Sequence, residues 1–114
     1  IARERLRVRA GESTVSRTVA LPDLDRLMTA LAQSLHLFGA VTVQAFWSPA
    51  DGVRLIEVNP RFGGASALGI EAGLDTPRRL VAWAQGELGE FVRPRPLRYG
   101  LKMLRYSQDL FCEG

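Results

Sequence analysis

The sequence is poor in cysteine, in histidine and in long apolar runs. Its 114 residues include a single cysteine, Cys112, which excludes an internal disulfide and a cysteine-rich zinc site. No apolar run approaches the roughly 18 residues that cross a bilayer, and the start of the chain carries no signal-peptide pattern. We therefore expect a cytoplasmic protein with no membrane partner.

The chain is basic without resembling a nucleic-acid binder. Its formal net charge is +3 and its pI is about 9.7. Lys102 is the one lysine, and the arginines are dispersed along the chain rather than gathered in a tract. We expect no nucleic-acid partner, and a basic nucleic-acid-binding domain is the least favoured function for this chain.

The length suits one compact domain. Hydrophobic residues make up 46% of the chain and charged residues 24%, as in ordinary globular proteins. The chain starts at Ile1 and enters a charged, strand-like stretch at once. We expect it to be a piece of a longer protein whose preceding part is missing.

Periodicity predicts an α+β lobe with the element order β, β, α, β, β, α, α, β. Alternation over residues 5–10 and 15–19 predicts a first pair of strands around Gly11. Apolar spacing over residues 21–39 predicts a helix with Pro22 in its first turn and Gly39 at its stop. One face of that helix is apolar: Leu24, Leu27, Met28, Leu31 and Leu35.

The second half predicts a hairpin, two helices and a closing strand. Residues 41–47 and 53–59 alternate around an Asp-Gly turn. A short helix over residues 66–73 precedes one over residues 75–88, with Asp75 or Thr76 as its cap. Arg93–Pro96 (RPRP) reads as an extended loop, and residues 99–106 as a final strand. The fold class is therefore α+β, with helices packed on a largely antiparallel sheet.

The stretch LIEVNPRFGGAS, residues 55–66, carries the candidate chemistry. Strand alternation places Leu55, Glu57 and Asn59 on one face. Symmetric pairing across the turn places Gln44 opposite Glu57, within reach of the same ion. A carboxylate with amide oxygens is a donor set that Mg²⁺ accepts.

An anion-binding element follows this strand. Arg61 offers a planar, permanently charged fork for a phosphate or carboxylate. Gly63 and Gly64 let backbone come close to a ligand, and the N–H groups of the next helix favour an anion. Metal ligands, an anion-binding arginine and a helix N-terminus together indicate a phosphoryl-transfer site.

Residues 43–77, VQAFWSPADGVRLIEVNPRFGGASALGIEAGLDTP, resemble the C-terminal lobe of ATP-grasp enzymes, especially the large chain of carbamoyl-phosphate synthase and related carboxylate–amine ligases. A Gln-bearing strand, an I-E-x-N-P-R strand, a loop of small residues and an A-x-G-x-x-x-P stretch carry the likeness. It extends over residues 3–88, and YGLKMLRY fits the closing strand of the family more loosely.

The resemblance implies that Glu57, Asn59 and Gln44 bind Mg²⁺, or Mn²⁺, on the phosphates of ATP. It implies a catalytic role for Arg61, which would hold the transferring phosphoryl group or the acyl phosphate. The family activates a carboxylate, or bicarbonate, with ATP for attack by an amine or ammonia. Gly11, Glu12 and Ser13 are expected on the substrate side.

The family's first lobe, with its lysines and its glycine-rich loop over the phosphates, has no counterpart here. We therefore expect residues 1–92 to be the C-terminal lobe and residues 93–114 an extension carrying the closing strand. The expected partners are the missing N-terminal part of the same polypeptide and small-molecule carboxylate and amine substrates. A homo-oligomer is expected if apolar surface stays open, and the fragment alone is expected to be inactive. The alternative is a non-catalytic ATP-grasp-like binding or assembly module, which would have no need of the intact site residues.

Overall fold

A computed structural model describes residues 1–87, 89 and 95–113. Within them lie β1 (Ala2–Arg9), β2 (Glu12–Val19), α1 (Pro22–Ser34), β3 (Thr42–Ser48), β4 (Gly52–Asn59), α2 (Ser66–Glu71), α3 (Thr76–Ala84) and β5 (Lys102–Leu104). This is the predicted order, and it confirms the α+β class. Of the predicted RPRP loop, Arg93 and Pro94 lie outside the described residues, as does Leu88 at the predicted end of the last helix.

The strands form two antiparallel sheets where the sequence predicted one. β1, β2 and β5 form one sheet with β2 at its centre, and β3 pairs with β4 in the other. The closing strand is confirmed but short: Met103 of β5 pairs with Ser16 of β2. The proposed division at residues 92 and 93 stays a prediction.

The most buried side chains lie where α2 packs on β2. Ser16 and Thr18 of β2 are 1% exposed, Leu68 of α2 is 2% exposed, and Ala72, which directly follows α2, is 0% exposed. Small side chains on both elements let the helix come close to the sheet. The hydroxyl of Thr18 donates to the carbonyl oxygen of Arg98 at 2.8 Å, which ties the segment before β5 to β2.

Helix α1 begins at Pro22 as predicted and ends at Ser34, earlier than expected. His36 adopts a left-handed conformation with φ 50°, and the N–H of Leu37 donates to the carbonyl oxygen of Ala32 at 2.8 Å. These contacts close a helix C-terminus. The predicted stop at Gly39 is wrong because His36 takes the left-handed position that glycine usually fills.

Helix α3 begins at the predicted cap. The carboxylate of Asp75 accepts the backbone N–H of Arg78 at 3.4 Å, so Asp75 is the cap rather than Thr76. The helix ends at Ala84 instead of residue 88, because Gly86 turns the chain with φ 76°.

The β3–β4 hairpin carries much exposed apolar surface. Phe46 is 71% exposed and Ile56 52%. The radius of gyration is 16.1 Å, against about 13 Å for a compact chain of this length. The described part of the chain therefore leaves much of the hairpin uncovered. None of its helices is long and apolar enough to cross a membrane.

Candidate functional site

The pairing of β3 with β4 places the predicted residues together. Gln44 lies opposite Glu57, as predicted, while Ala45 lies opposite Leu55, so β4 has an additional residue, Ile56, at this point. Neighbouring residues of a strand point to opposite faces. The prediction that Leu55 shares a face with Glu57 is therefore wrong, because the bulge moves Leu55 to the other side.

Three side chains form a hydrogen-bonded cluster on the face of Gln44, which we call the amide–carboxylate cluster: Gln44, Glu57 and Asn59. Oε1 of Glu57 accepts a hydrogen bond from Nε2 of Gln44 and a second, of 2.9 Å, from Nδ2 of Asn59. Glu57 is exposed and the two amide side chains are half-buried. The structure thus brings the three predicted metal ligands into contact at the end of the hairpin.

The cluster fits Mg²⁺ as a partial site. It holds one carboxylate and two amides, and the described residues contain no group of three His, Cys, Asp or Glu side chains that could hold a metal. Mg²⁺ commonly binds one or two carboxylates and completes its shell with water and substrate phosphates. Both amides present N–H to Glu57, so each must turn over before its oxygen can reach a shared ion. The terminal torsion of an amide side chain is broad and permits this.

The chain leaves β4 in a tight turn held by Thr42. Its hydroxyl donates to the carbonyl oxygen of Arg61 at 3.0 Å. A Cβ at Gly63 would lie 2.9 Å from atoms of the Thr42 side chain, so glycine permits this close approach. The guanidinium of Arg61 is exposed and donates to the carbonyl oxygen of Phe62 at 3.1 Å. Among the described residues, no carboxylate pairs with it.

The glycine loop closes on itself before α2. The N–H of Gly63 donates to the hydroxyl of Ser66 at 2.9 Å, and the N–H of Ser66 donates to the carbonyl oxygen of Gly63 at 2.9 Å. α2 has only six residues, so its dipole is small. We therefore assign no anion site to this helix end, which the sequence had favoured.

Arg5 joins the first sheet to the cluster, and the sequence did not single it out. Its Nε donates to Oγ of Ser13 at 2.9 Å, and its Nη2 to the carbonyl oxygen of Gly11 at 2.7 Å. Its Nη1 donates to Oε1 of Gln44 at 3.3 Å. The β1–β2 turn, expected on the substrate side, therefore reaches the cluster through Arg5. In the alternating stretch RLRVRA this arginine reads as one more exposed strand residue.

Arg105 makes a second link that the sequence did not indicate. Its Nη1 donates to Oε2 of Glu12 at 3.1 Å, and its Nη2 donates to the carbonyl oxygen of Gly64. The chain after β5 thus connects the β1–β2 turn to the glycine loop. Because Glu12 forms an ion pair with Arg105, its carboxylate helps to hold these segments together.

An α+β fold of antiparallel sheets, with a carboxylate, two amides and an arginine at the end of a hairpin, is consistent with an ATP-grasp protein. A family model matches residues 1–108, and its description is ATP-grasp in the biosynthetic pathway with Ter operon. Since the match spans nearly all 114 residues, the chain belongs to this ATP-grasp family. A search of curated proteins returned no match.

Family membership confirms the ATP-grasp prediction and indicates an ATP-dependent, ligase-type function. ATP-grasp proteins generally bind ATP together with Mg²⁺, which agrees with the partial metal site described above. The match does not name carbamoyl-phosphate synthase, so that closer likeness stays a prediction. The individual roles of Gln44, Glu57, Asn59 and Arg61 also stay predictions.

Proposed function

We propose that this chain forms the metal- and phosphate-binding part of a ligase that uses ATP to activate a carboxylate, or bicarbonate, for attack by an amine or ammonia. The observation that carries the proposal is the amide–carboxylate cluster next to Arg61 in a member of an ATP-grasp family. A carbamoyl-phosphate-synthase-like reaction is the case in which bicarbonate and ammonia are the substrates.

Within this proposal the cluster holds Mg²⁺ or Mn²⁺ against the nucleotide. Glu57 supplies the one negative charge, and Gln44 and Asn59 supply neutral oxygens once their amides have turned. The bound ion would neutralise charge on the phosphates and orient the transferring group. Because the cluster itself contains a single carboxylate, we expect it to bind the metal tightly only together with the nucleotide.

Arg61 is the residue proposed to act on the phosphoryl group. A carboxylate oxygen forms a bond to the γ-phosphorus, the bond from that phosphorus to the bridging oxygen breaks, and ADP leaves. The amine nitrogen then bonds to the acyl carbon and loses a proton, and the carbon–oxygen bond to phosphate breaks. Catalysis of such transfers consists mostly of positioning and charge neutralisation, which the exposed guanidinium of Arg61 can supply at the phosphoryl oxygens.

The proposed reaction needs more of the protein than this chain. Lysines and a loop over the phosphates would come from a preceding part of the same polypeptide, as in other ATP-grasp enzymes. The exposed apolar side chains of the β3–β4 hairpin, such as Phe46 and Ile56, support a covering partner. We propose the rest of the polypeptide as that cover, with a second copy of the chain as the competing outcome. The carboxylate and amine are proposed to be small molecules, and the cytoplasmic location stays an expectation.

The test is ADP release by the full-length protein with Mg²⁺, ATP and a panel of carboxylates comprising bicarbonate and the common amino acids. Glu57→Gln removes the charge and keeps the size of the side chain. We expect it to lower carboxylate-stimulated turnover more than about 100-fold, since loss of even outer-shell groups of a metal site costs 10–100-fold. Glu87→Gln, at an exposed residue after α3, is the matched control and should turn over like the wild type.

Two results would contradict the proposal. Undiminished turnover in a folded Glu57→Gln protein would remove the metal-ligand assignment. Wild-type protein that binds no nucleotide and releases no ADP with any carboxylate would favour the non-catalytic binding or assembly module.

A further inference from the structure

We propose that Arg5 is a ligand-binding residue that extends the site to the β1–β2 turn, where it binds an anionic oxygen of the substrate. The identity of the ligand rests on the function proposed above. The contacts of Arg5 carry the inference by themselves.

Arg5 forms no ion pair within the part of the chain that the structure describes. Its three hydrogen bonds go to a hydroxyl, a backbone carbonyl and an amide oxygen, those of Ser13, Gly11 and Gln44. Among the described residues, no carboxylate forms an ion pair with it. A guanidinium has five N–H donors, so two remain for a ligand. The side chain is exposed, and an anionic oxygen would find there a charge without a counter-ion.

Two of these contacts fix the guanidinium, and the third is weaker. The bonds to Ser13 and Gly11 measure 2.9 and 2.7 Å, whereas the bond to Gln44 measures 3.3 Å. The two short bonds place the fork beside the cluster whether or not Gln44 stays in place. Such preorganisation lowers the entropic cost of binding a ligand.

Arg5 and the backbone of Arg61 both contact side chains on one face of β3. Thr42 and Gln44 are two residues apart on the same face of β3. Thr42 holds the backbone of Arg61, and Gln44 holds the guanidinium of Arg5. Two arginines that have no carboxylate partner among the described residues therefore contact neighbouring side chains of β3, Arg61 through its backbone and Arg5 through its guanidinium. A ligand with more than one anionic group matches such a pair of arginines.

Gln44 couples Arg5 to the cluster. Its Nε2 donates to Glu57 while its Oε1 accepts from Arg5. When the Gln44 amide turns over so that its oxygen can bind an ion shared with Glu57, its N–H groups face the N–H groups of Arg5. Two facing donors leave both unsatisfied. Arg5 then needs another acceptor, and an anionic oxygen of the ligand supplies one.

Two parts of the substrates carry such an oxygen, the phosphate chain of the nucleotide and the carboxylate that is activated. The experiment uses the full-length protein and has one arm for each. Calorimetric titration with Mg-AMP-PNP reports on the phosphate chain. The KM of the carboxylate that stimulates ADP release, at saturating ATP, reports on the carboxylate.

We expect Arg5→Ala either to lower the affinity for Mg-AMP-PNP or to raise the KM of the carboxylate by about 10- to 100-fold, the usual contribution of a charge-assisted hydrogen bond. Weaker Mg-AMP-PNP binding assigns Arg5 to the phosphates, and a raised KM assigns it to the carboxylate. Arg5→Lys should recover part of the loss, because it keeps the charge without the fork. Ser13→Ala loses one anchor and keeps the charge, so its effect should be below about threefold.

Arg54→Gln is the control for net charge, because Arg54 is a surface arginine near the start of β4 that is paired with Asp51. Unchanged Mg-AMP-PNP affinity and unchanged KM in Arg5→Ala, while Glu57→Gln still loses carboxylate-stimulated turnover, would overturn the role of Arg5 and leave the proposed function standing. Wild-type protein that binds no Mg-AMP-PNP would overturn both. Circular dichroism melting of each variant shows whether the fold is kept.

Discussion

The junction of β2 with α2 and the β3–β4 hairpin contrast in how their side chains are covered. At the junction, Thr18 and Ala72 are at most 1% exposed. On the hairpin, Phe46 is 71% exposed and Ile56 52%. Yet the hairpin, not the junction, carries the amide–carboxylate cluster.

The contrast separates the residues that stabilise the fold from those that bind. The junction is closed by small side chains and by the contacts of Thr18 with the segment at Arg98 and Leu101. The hairpin presents polar groups and apolar surface that the described residues leave open. Arg5 reaches from the first sheet to the hairpin, and Arg105 reaches from the end of β5 to the glycine loop that follows the hairpin. A substitution at the junction should therefore act mainly on stability, and one near the hairpin mainly on binding.

The largest loss of stability is expected from Gly73→Ala, just after α2. Gly73 has φ 106°, and a Cβ there would lie 2.5 Å from the carbonyl oxygen of Pro96. Backbone strain and overpacking together predict a loss of about 3 kcal/mol, measured by urea unfolding followed by tryptophan fluorescence. Gly86→Ala is the control, since Gly86 has φ 76° with nothing within 4 Å. Gly86→Ala should lower the stability by only about 1 kcal/mol, through backbone strain alone. Equal losses of stability at the two positions would contradict the close packing of Gly73 against Pro96.

Gly63→Ala should have an intermediate effect, at the seam between the two regions. The new methyl would meet Thr42 at 2.9 Å and would break its hydrogen bond to the backbone of Arg61. We expect a loss of about 1–2 kcal/mol together with weaker Mg-AMP-PNP binding. Adding Thr42→Ala should recover part of the lost stability, because neighbouring residues couple in double-mutant cycles. Additive losses in the double variant would mean that Thr42 is not the obstacle.

The smallest effect is expected from Phe46→Ser on the hairpin. At 71% exposure this side chain buries little against the described residues, so the loss should be below about 0.5 kcal/mol. The same urea titration measures it. That figure holds for this chain by itself. In the full-length protein, where we propose that the rest of the polypeptide covers the hairpin, we expect a loss of more than about 1.5 kcal/mol. A loss below about 0.5 kcal/mol there as well would contradict the proposed cover.

Local patterns were enough to predict the elements and much of the candidate site. Alternation and helical spacing predicted, in order, the eight elements found in the described part of the chain, since each depends on near neighbours. The pairing of Gln44 with Glu57 was also predicted, although the ladder shifts by one residue at Ile56 on the way from the turn. The helix end at His36 was missed because that position normally favours glycine.

Contacts between distant segments were beyond such patterns. Arg5 meets Gln44 across 39 positions, and Arg105 meets Glu12 across 93. A long arginine side chain has many rotamers, and only the tertiary structure around it selects its acceptor. The split into two sheets was missed for the same reason, because strand periodicity does not specify which strands become neighbours.

The additional residue at Ile56 decides on which side of the sheet the acid appears. From the turn onward Trp47 lies opposite Val53, and an unbroken ladder would bring Gln44 opposite Ile56 and leave Glu57 on the reverse face. With the extra residue, Glu57 takes the position opposite Gln44 that Ile56 would otherwise occupy. If the E-x-N-x-R motif were grafted onto a regular hairpin with the same turn, its glutamate and asparagine would therefore lie on the face opposite to that of Gln44. In this protein the motif depends on both strands and on the bulge between them, so the sequence motif alone does not reproduce the site.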